Sequence, residues 1–250
     1  FDQGQRRFLV PLARLDLQHP DLVVEAGEDH VQGVAAVGGD LGQQAGFLGH
    51  ADGIAAIGRV GATTGVWTGN SPYRLDYHGA IPDAPRNGII GLATNGSELL
   101  VVAAPGGDSP DFLGWRSSDG VGWSATGPLQ GLEGLHAAVT IAGTADGYLI
   151  GGTAACASPP CPPAIYYSDD GLDWRRAELH LLDTTDGAAG IVVDFATSGE
   201  QLIAVGGLGN TPSTELVVWT SRNGVEWERI ATGEPLLRST TATVELISIS

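Results

Sequence analysis

A nine-residue motif occurs three times in this 250-residue chain and constrains its fold more than any other feature. Each copy begins with an aromatic residue, continues through Ser and an Asp-Gly or Asn-Gly pair, and ends with a Trp eight positions after the first aromatic. The copies are WRSSDGVGW (115–123), YYSDDGLDW (166–174) and WTSRNGVEW (219–227). Their closing tryptophans are 51 and 53 residues apart. A period of this length with strand-like segments is typical of β-propeller blades.

A weaker fourth copy, VWTGNSPYRLDY, precedes these three and has Trp67 at the position of the first aromatic. Within each unit the sequence predicts an apolar strand, a tight turn, a second apolar strand and then the two strands that flank the motif. Examples of the first two strands are GIIGLAT with LLVVAAP, AAVTIAG with YLIGGTA, and GIVVDFA with QLIAVGG. Four short strands per unit fit an antiparallel blade, so we predict an all-β propeller.

The Ser-x-Asp/Asn-Gly core of the motif is predicted to form the hairpin turn between the third and fourth strands of each blade. Gly adopts the positive φ that the turn needs, and the Asp or Asn oxygen accepts hydrogen bonds from nearby backbone amides. The two aromatics then lie on the two arms of the hairpin, where they can pack against neighbouring blades. The predicted turn residues are Ser117, Asp119, Gly120, Trp123, Ser168, Asp170, Gly171, Trp174, Ser221, Asn223, Gly224 and Trp227.

These hairpins resemble the Asp-box (BNR) repeats of the sialidase-like β-propeller superfamily, whose usual form is Ser-x-Asp-x-Gly-x-Thr-Trp. The present copies are one residue shorter and lack the Thr, and the third copy has Asn223 instead of Asp. The resemblance covers about residues 50–235. It implies the fold rather than an activity, because Asp-boxes in that family lie at the blade periphery and occur in non-enzymes too.

We predict one propeller domain that spans residues 1–250. Its repeats lie at about 45–80, 88–127, 137–178 and 190–233. Residues 240–250 resemble the first strand of a further blade, and residues 8–17 and 21–27 are strand-like. We therefore favour five blades closed by pairing of the N- and C-terminal strands, because an open edge invites aggregation. A fragment of a longer propeller is the alternative. Residues 1–45 fit the repeat poorly and are either a degenerate blade or a closing segment.

The charge of the chain limits its partners. Asp and Glu number 29 against 12 basic residues, all of them Arg, which gives a formal net charge of −17. Phosphate backbones and anionic lipid surfaces repel such a chain, so nucleic acid is an unfavourable partner. No apolar run approaches the roughly 20 residues that span a bilayer, so membrane insertion is not expected. The remaining partners are a protein or a glycan, with a place in a larger extracellular assembly as a further option.

Cysteine usage and codon bias indicate where the protein is located. Cys156 and Cys161, in CASPPC, are close enough to form a disulfide, which an exported protein would oxidise; two reduced thiols are the alternative. The absence of Lys with abundant Ala, Gly and Arg is typical of a GC-rich genome. We therefore predict a secreted, cell-surface or periplasmic protein of a GC-rich bacterium. No cofactor motif is present, although an acidic channel is compatible with a structural cation such as calcium.

The two faces of the predicted ring differ in their loops. The turns between strands one and two and between strands three and four share one face and are short. The second-to-third loops and the inter-blade connections share the other face and are long and dissimilar, and function gathers on variable loops of a rigid scaffold. We predict that this second face binds the partner. Its candidate residues are Asp83, Arg86, Asp108, Asp111, His136, Asp183, Asp186 and Arg238.

The sequence favours a secreted, non-catalytic propeller that acts as a binding or scaffold module, with a protein partner. Phe112 is the one aromatic in the long loops, whereas glycan-binding sites usually offer stacking rings. The alternative is a glycoside hydrolase, sialidase-like or five-bladed, that acts on extracellular glycans. The predicted first strands lack the Arg that would grip a sialic acid carboxylate. A hydrolase would use two carboxylates near the axis. Asp194 and Glu245 are the acids in these strands, either solvated in the channel or functional.

Overall fold

The structure of the protein is a computed structural model. It describes residues 46–50, 53–61, 63–71, 74–85, 88–104, 106, 111–158, 161–180, 189–198, 200–209, 214–230 and 238–239. Over these residues the secondary structure consists of 18 β-strands in four sheets, which confirms the all-β class. No helix long and apolar enough to cross a membrane occurs within these ranges.

The first two sheets follow the chain in a simple up-and-down order. The first contains β1 (Gly46–His50), β2 (Gly53–Val60), β3 (Thr63–Ser71) and β4 (Arg74–Ala80). The second contains β5 (Ile89–Thr94), β6 (Leu99–Ala103), β7 (Leu113–Ser117) and β8 (Ser124–Pro128). Each strand pairs antiparallel with the next one along the chain. A four-stranded antiparallel sheet in this order has the architecture of a propeller blade, and we call these sheets blades 1 and 2.

Blades 3 and 4 repeat this order. Blade 3 contains β9 (Leu135–Thr144), β10 (Gly147–Ala154), β11 (Pro163–Ser168) and β12 (Arg175–Arg176). Blade 4 contains β14 (Gly190–Ser198), β15 (Gln201–Leu208), β16 (Thr214–Ser221) and β17 (Glu226–Arg229). Two short strands, β13 (Glu178–His180) and β18 (Arg238–Ser239), join the outer half of blade 4. The segments predicted to close a fifth blade, in 1–45 and 240–250, lie outside the described residues.

Two ends of the blades are used below as landmarks. The hairpin end carries the short turns between the first and second strands and the motif turns between the third and fourth strands. The loop end is the opposite end, where β6, β10 and β15 finish and where β5, β9 and β14 begin. The chain enters and leaves each blade at the loop end.

The core consists of apolar layers between consecutive blades. One layer joins Ala55 and Ile57 of blade 1 to Val101 of blade 2. The next joins Leu100 of blade 2 to Ile150 of blade 3. Both faces of a middle blade are therefore covered, and every residue of its second strand β6 is buried. A strand that is buried on both faces reads as a continuous apolar run, here LLVVA.

The first aromatic of each motif copy packs against the preceding blade. Trp115 lies in the layer shared with blade 1, Tyr166 in the layer shared with blade 2, and Trp219 in the layer shared with blade 3. Trp115 is 2% exposed and Trp219 is fully buried. Burying one large apolar side chain stabilises a fold by roughly 1.5–3 kcal/mol. The repeated aromatic is thus an inter-blade contact, as its position on the hairpin predicts.

The outer strands do not end within their own blade, which the sequence did not predict. After β12, the chain continues as β13 and pairs in parallel with β17 of the next blade. Blade 2 makes a shorter contact of the same kind, because Gln130 forms a single parallel β-bridge with Asp173 of blade 3. The exit segments of blades 2 and 3 therefore join their own blades to the motif hairpins of the following ones. The chain after the second motif turn is thus divided into β12 and β13, because its second half pairs with the neighbouring blade.

Candidate functional site

The motif turns at the hairpin end use the polar atoms of the motif for local hydrogen bonds. In the first copy, the Gly120 N–H donates to Ser117 Oγ at 2.8 Å. Asp119 Oδ1 accepts the N–H groups of Val121 and Gly122, both at 2.8 Å. These bonds, that of Gly122 first, lower the pKa of the Asp119 carboxyl, because they stabilise its charged form.

The second and third copies repeat this arrangement. Asp170 Oδ1 accepts the N–H of Leu172 at 2.8 Å, and Asn223 Oδ1 accepts the N–H of Val225 at 2.9 Å. Burial raises the pKa of Asp170, but bonds from two backbone amides and the Ser168 hydroxyl, with the charge of Arg116, outweigh burial and lower it. The neutral Asn223 accepts the same bonds without a charge.

The motif glycine serves both the turn and the blade contact. Gly120, Gly171 and Gly224 have φ values of +74°, +72° and +73°. A Cβ atom on Gly171 would lie 2.8 Å from Leu100 Cδ2 of the preceding blade. Glycine is therefore required for the positive φ and, at Gly171, for the close approach of two blades.

A charged cluster between blades 2 and 3 was missed by the sequence analysis. Arg116 Nη1 lies 3.5 Å from Glu98 Oε2, and the Tyr148 hydroxyl donates to the Glu98 carbonyl oxygen at 3.2 Å. Burial raises the pKa of Tyr148 to about 12, and the charge of Glu98 adds to this shift. No sequence signal marks the cluster, because its three members come from separate strands and turns.

The loop end contains three of the predicted binding residues as described side chains. Asp83 is exposed in the connection after β4 and has a φ of +56°, which Asp tolerates better than most residues. Asp111 is exposed just before β7, and His136 is exposed at the start of β9. The backbone of Arg238 pairs with Glu215 at the first residues of β16. The remaining candidates, which lie outside the described residues, are Arg86, Asp108, Asp183 and Asp186.

The disulfide predicted at the loop end is present. Cys156 and Cys161 are bonded, with their Cα atoms 5.5 Å apart. The bond fits an extracellular protein, since oxidising compartments preserve disulfides. The Cys161 carbonyl oxygen accepts the N–H of Gly190, the first residue of β14, at 2.9 Å. The disulfide loop of blade 3 therefore contacts the innermost strand of blade 4.

Asp194 lies in that innermost strand, immediately after a β-bulge. Val192 pairs with Gly206 and Asp194 pairs with Val205, so Val193 is the extra residue. The same bulge occurs at Ile90 in β5 and at Val139 in β9. The sequence analysis missed it, because a bulge changes the register without changing the apolar pattern. Bulges redirect the side chains beside them and are often found next to active sites.

The bulge determines which way Asp194 faces. Phe195 and Val192 pack against blade 3, where a Cβ atom on Gly151 would lie 2.8 Å from Val192 and 3.0 Å from Phe195. Successive residues of a strand point to opposite faces, so Asp194 faces away from blade 3. Its side chain is 9% exposed, and its Oδ1 accepts the N–H of Phe195 at 2.9 Å. The carboxylate is thus largely shielded from water.

Asp194 is the one acid in the innermost strands of the four described blades, β1, β5, β9 and β14. Its predicted partner Glu245 lies outside the described residues. Among the side chains that the structure describes, no group of three or more His, Cys, Asp or Glu could hold a metal ion. The structural calcium stays a prediction.

Comparison with known proteins gives a likeness at the level of fold. No family model matches the chain, and no curated protein sequence matches it either. The GH32 β-fructofuranosidase of Bombyx mori, in complex with sucrose, resembles it with a TM-score of 0.41 and 15% identity, over 58% of this chain and 34% of that one. A GH43 protein of Bacillus licheniformis has a TM-score of 0.43 and 11% identity, over 75% of this chain and 41% of that one. A PL25 ulvan lyase has a TM-score of 0.47 and 12% identity, over 75% and 54%.

By their names these neighbours are glycoside hydrolases and a polysaccharide lyase, and the chain spans about a third to a half of their lengths. The prediction of a non-catalytic binding or scaffold module is wrong, because these neighbours favour the glycoside hydrolase alternative. That prediction depended on the lack of Arg in the first strands and on Phe112 as the one aromatic residue in the long loops. An Arg cluster serves substrates that carry a carboxylate, whereas a neutral sugar needs only two enzyme carboxylates. The missing Arg therefore argues against a sialidase and not against other glycoside hydrolases.

Proposed function

We propose that the protein is a propeller-type glycoside hydrolase that acts on extracellular glycans through Asp194. The observation that carries this proposal is the position of Asp194. It is a largely buried carboxylate on an innermost strand, directly after a bulge that recurs in three blades. Asp is rarely buried in folded proteins, so a largely buried Asp in an otherwise apolar innermost strand is a candidate functional residue.

Glycoside hydrolysis needs one carboxylic acid to protonate the leaving oxygen and one carboxylate to attack the anomeric carbon or to activate water. Asp194 supplies one of the two. Glu245, predicted on the innermost strand of the closing blade, is the proposed second. A separation of roughly 5–5.5 Å between them would retain the anomeric configuration, and a separation of roughly 6.5–9.5 Å would invert it.

The same proposal includes a five-bladed, closed ring. The face of blade 1 that points away from blade 2 is apolar and contains Ala56, Trp67 and Leu75. In the later blades the equivalent aromatic packs against the preceding blade, so Trp67 is positioned to do the same. A blade formed by the two ends of the chain would cover this face and the face of blade 4 that carries Asp194. The glycan then binds where the innermost strands meet.

The charge of the protein narrows the substrate to neutral glycans. A net charge of −17 repels polyanionic chains, and the described innermost strands offer no Arg to pair with a substrate carboxylate. We therefore expect hydrolysis of neutral oligosaccharides or polysaccharides and none of sialylated ones. Secretion belongs to the proposal, because such substrates are outside the cell.

The test is hydrolysis of a glycan panel by the full chain and by Asp194→Asn, measured as released reducing ends. The panel contains neutral oligosaccharides and polysaccharides, sucrose included, beside a sialylated set. On any substrate that is cleaved, Asp194→Asn should lower kcat by about 10²–10⁴-fold, because general acid–base catalysis contributes that much. The matched control is Asp146→Asn, an exposed acid in the turn between β9 and β10, which should keep kcat within about twofold. Equal activity of Asp194→Asn and the unaltered protein would contradict the proposal.

A further inference from the structure

The first residue of the strand that carries Asp194 is held from two directions by blade 3. The Gly190 N–H donates to the Cys161 carbonyl oxygen at 2.9 Å, and Thr153 Oγ1 donates to the Gly190 carbonyl oxygen at 3.2 Å. Blade 4 adds the bond from the Gly209 N–H to the Ala189 carbonyl oxygen at 2.8 Å. Both polar groups of the Gly190 backbone are thus bonded to the neighbouring blade.

The packing around Gly190 leaves little freedom at this point. A Cβ atom on Gly190 would lie 2.7 Å from Leu208 Cδ2 of its own blade and 3.0 Å from Pro163 Cδ of blade 3. These distances are shorter than ordinary van der Waals contacts between carbon atoms. The start of β14 is therefore confined between its own second strand and the base of the blade 3 loop.

The anchored start of β14 lies four residues before Asp194 and limits how far this innermost strand can move relative to blade 3. A shift of one residue in a strand turns every following side chain to the opposite sheet face. In β14 the bulge at Val193 is such a shift, since it lies between the pairs Val192–Gly206 and Asp194–Val205. After the bulge, the residues from Asp194 to Ser198 pair without a further shift with Val205 to Gln201, up to the turn into β15. Loosening the start of β14 therefore displaces the strand relative to blade 3 and does not turn Asp194 to the other face.

The disulfide holds the carbonyl group that anchors Gly190. It links Cys156 to Cys161 across the loop. The two bases of that loop are bonded as well, because the Ala154 N–H donates to the Pro162 carbonyl oxygen at 2.8 Å. Without the cross-link, the loop gains backbone conformations, and only some of them keep the Cys161 carbonyl oxygen on Gly190.

We propose that the Cys156–Cys161 disulfide is a positioning element for Asp194. It acts through the bond from the Gly190 N–H to the Cys161 carbonyl oxygen, which anchors the strand that carries this carboxylate. The proposal rests on the proposed function, because it assigns the disulfide to the same carboxylate. The disulfide residues hold the start of the strand that carries the carboxylate, and their role is to limit the displacement of that strand.

The test compares the full chain with the double variant Cys156→Ser, Cys161→Ser by amide hydrogen exchange and by kinetics. The amides of Gly190 and Phe195 should exchange at least about tenfold faster in the variant, since Phe195 N–H is bonded to the Asp194 carboxylate. The amides of Gly171 and Gly224, at the hairpin end, should not change. On a cleaved glycan, kcat should fall about three- to tenfold while KM changes less than about twofold, because a misplaced catalytic group mainly lowers the chemical rate.

A second pair of variants applies if the double variant does not fold. Thr153→Val removes the bond to the Gly190 carbonyl oxygen and keeps the disulfide, so Phe195 exchange should rise about threefold. Its matched control is Thr126→Val, which removes a similar bond from Thr126 Oγ1 to the Gly114 carbonyl oxygen in blade 2 and should leave Phe195 unchanged.

Unchanged exchange of Phe195 in a folded double variant, or in Thr153→Val, would overturn the positioning role. Faster exchange with an unchanged kcat would overturn its catalytic consequence. Failure of the proposed function gives a different result, because Asp194→Asn would then stay active whatever the exchange rates show.

Discussion

At the hairpin end, blades 2, 3 and 4 repeat one turn with the same Ser, acceptor, Gly and Trp, whereas at the loop end no two described connections share a sequence. The hairpin turns use their Ser, Asp and Asn oxygens for hydrogen bonds within the turn, and they approach the preceding blade through the motif glycine. The loop end contains the disulfide, Asp83 with its positive φ, and the first residue of the strand that carries Asp194. The repeated residues of the hairpin end hold the blades together, whereas the candidate site lies on a strand that begins at the end where the connections differ.

The acids that recur in the repeat are therefore less informative about function than the acid that occurs once. Asp119 and Asp170 are prominent because they recur, and their oxygens are used by backbone amides of their own turns. Asp194 occurs once and interrupts an apolar strand. In a repeat protein, a residue that departs from the repeat indicates function better than one that defines it.

The largest predicted effect tests whether the motif glycine joins the blades. Gly171→Ala should destabilise the protein by about 2–4 kcal/mol, because Ala is strained at positive φ and its Cβ overlaps Leu100. The control at the loop end is Gly127→Ala, with a φ of +82° and no atom within 4 Å of its Cβ position, which should cost about 1 kcal/mol. Urea unfolding measures both. Equal losses would show that only the turn, and not the blade contact, requires glycine.

A smaller effect concerns the closing tryptophans. Trp227 Nε1 donates to the Gly224 carbonyl oxygen at 2.9 Å, whereas the buried Trp174 Nε1 has no hydrogen-bond partner in the described part of the chain. Trp227→Phe should therefore lower the free energy of unfolding by about 1–2 kcal/mol more than Trp174→Phe does. The change at Trp227 leaves the Gly224 carbonyl oxygen unpaired, whereas the change at Trp174 removes a donor that had no partner. The comparison uses the shift in the urea midpoint. A greater loss at Trp174 would contradict the difference in bonding.

The hairpin end could be predicted from the sequence because its physics is local. A turn of four residues needs a positive φ and an acceptor side chain, and both needs are written in Ser-x-Asp-Gly. The spacing of the tryptophans then predicts the length of one blade, and the apolar runs predict its first two strands. Local signals that repeat three times reinforce one another.

The loop end and Asp194 could be predicted only in part. The sequence identified Asp194 as an acid in an innermost strand but not its direction, which depends on the bulge at Val193. That bulge, the parallel pairing of β13 with β17 and the bond from Gly190 to Cys161 each join segments that are distant in the chain. Contacts of this kind depend on the register between strands, and no single segment encodes it.

The smallest predicted effect is a pH dependence that arises at the hairpin end. The lowered pKa values of Asp119 and Asp170 mean that the folded protein favours their charged forms more than the unfolded chain does. Their contribution to stability is therefore present above the unfolded pKa, near about 3.9, and is lost as the pH falls below it through the folded values.

Asn223 shows how to isolate this contribution. Asn223 accepts the same backbone bonds at 2.9 and 3.0 Å without titrating. The double variant Asp119→Asn, Asp170→Asn should thus keep the turns and lose less stability than the unaltered protein between pH 5 and pH 3, measured by urea unfolding at each pH. Parallel loss of stability in the two proteins would assign the acid sensitivity to other carboxylates. A variant that is less stable than the unaltered protein even at pH 7 would mean that the charge of the two aspartates, and not only their acceptor oxygen, is needed to form the hairpins.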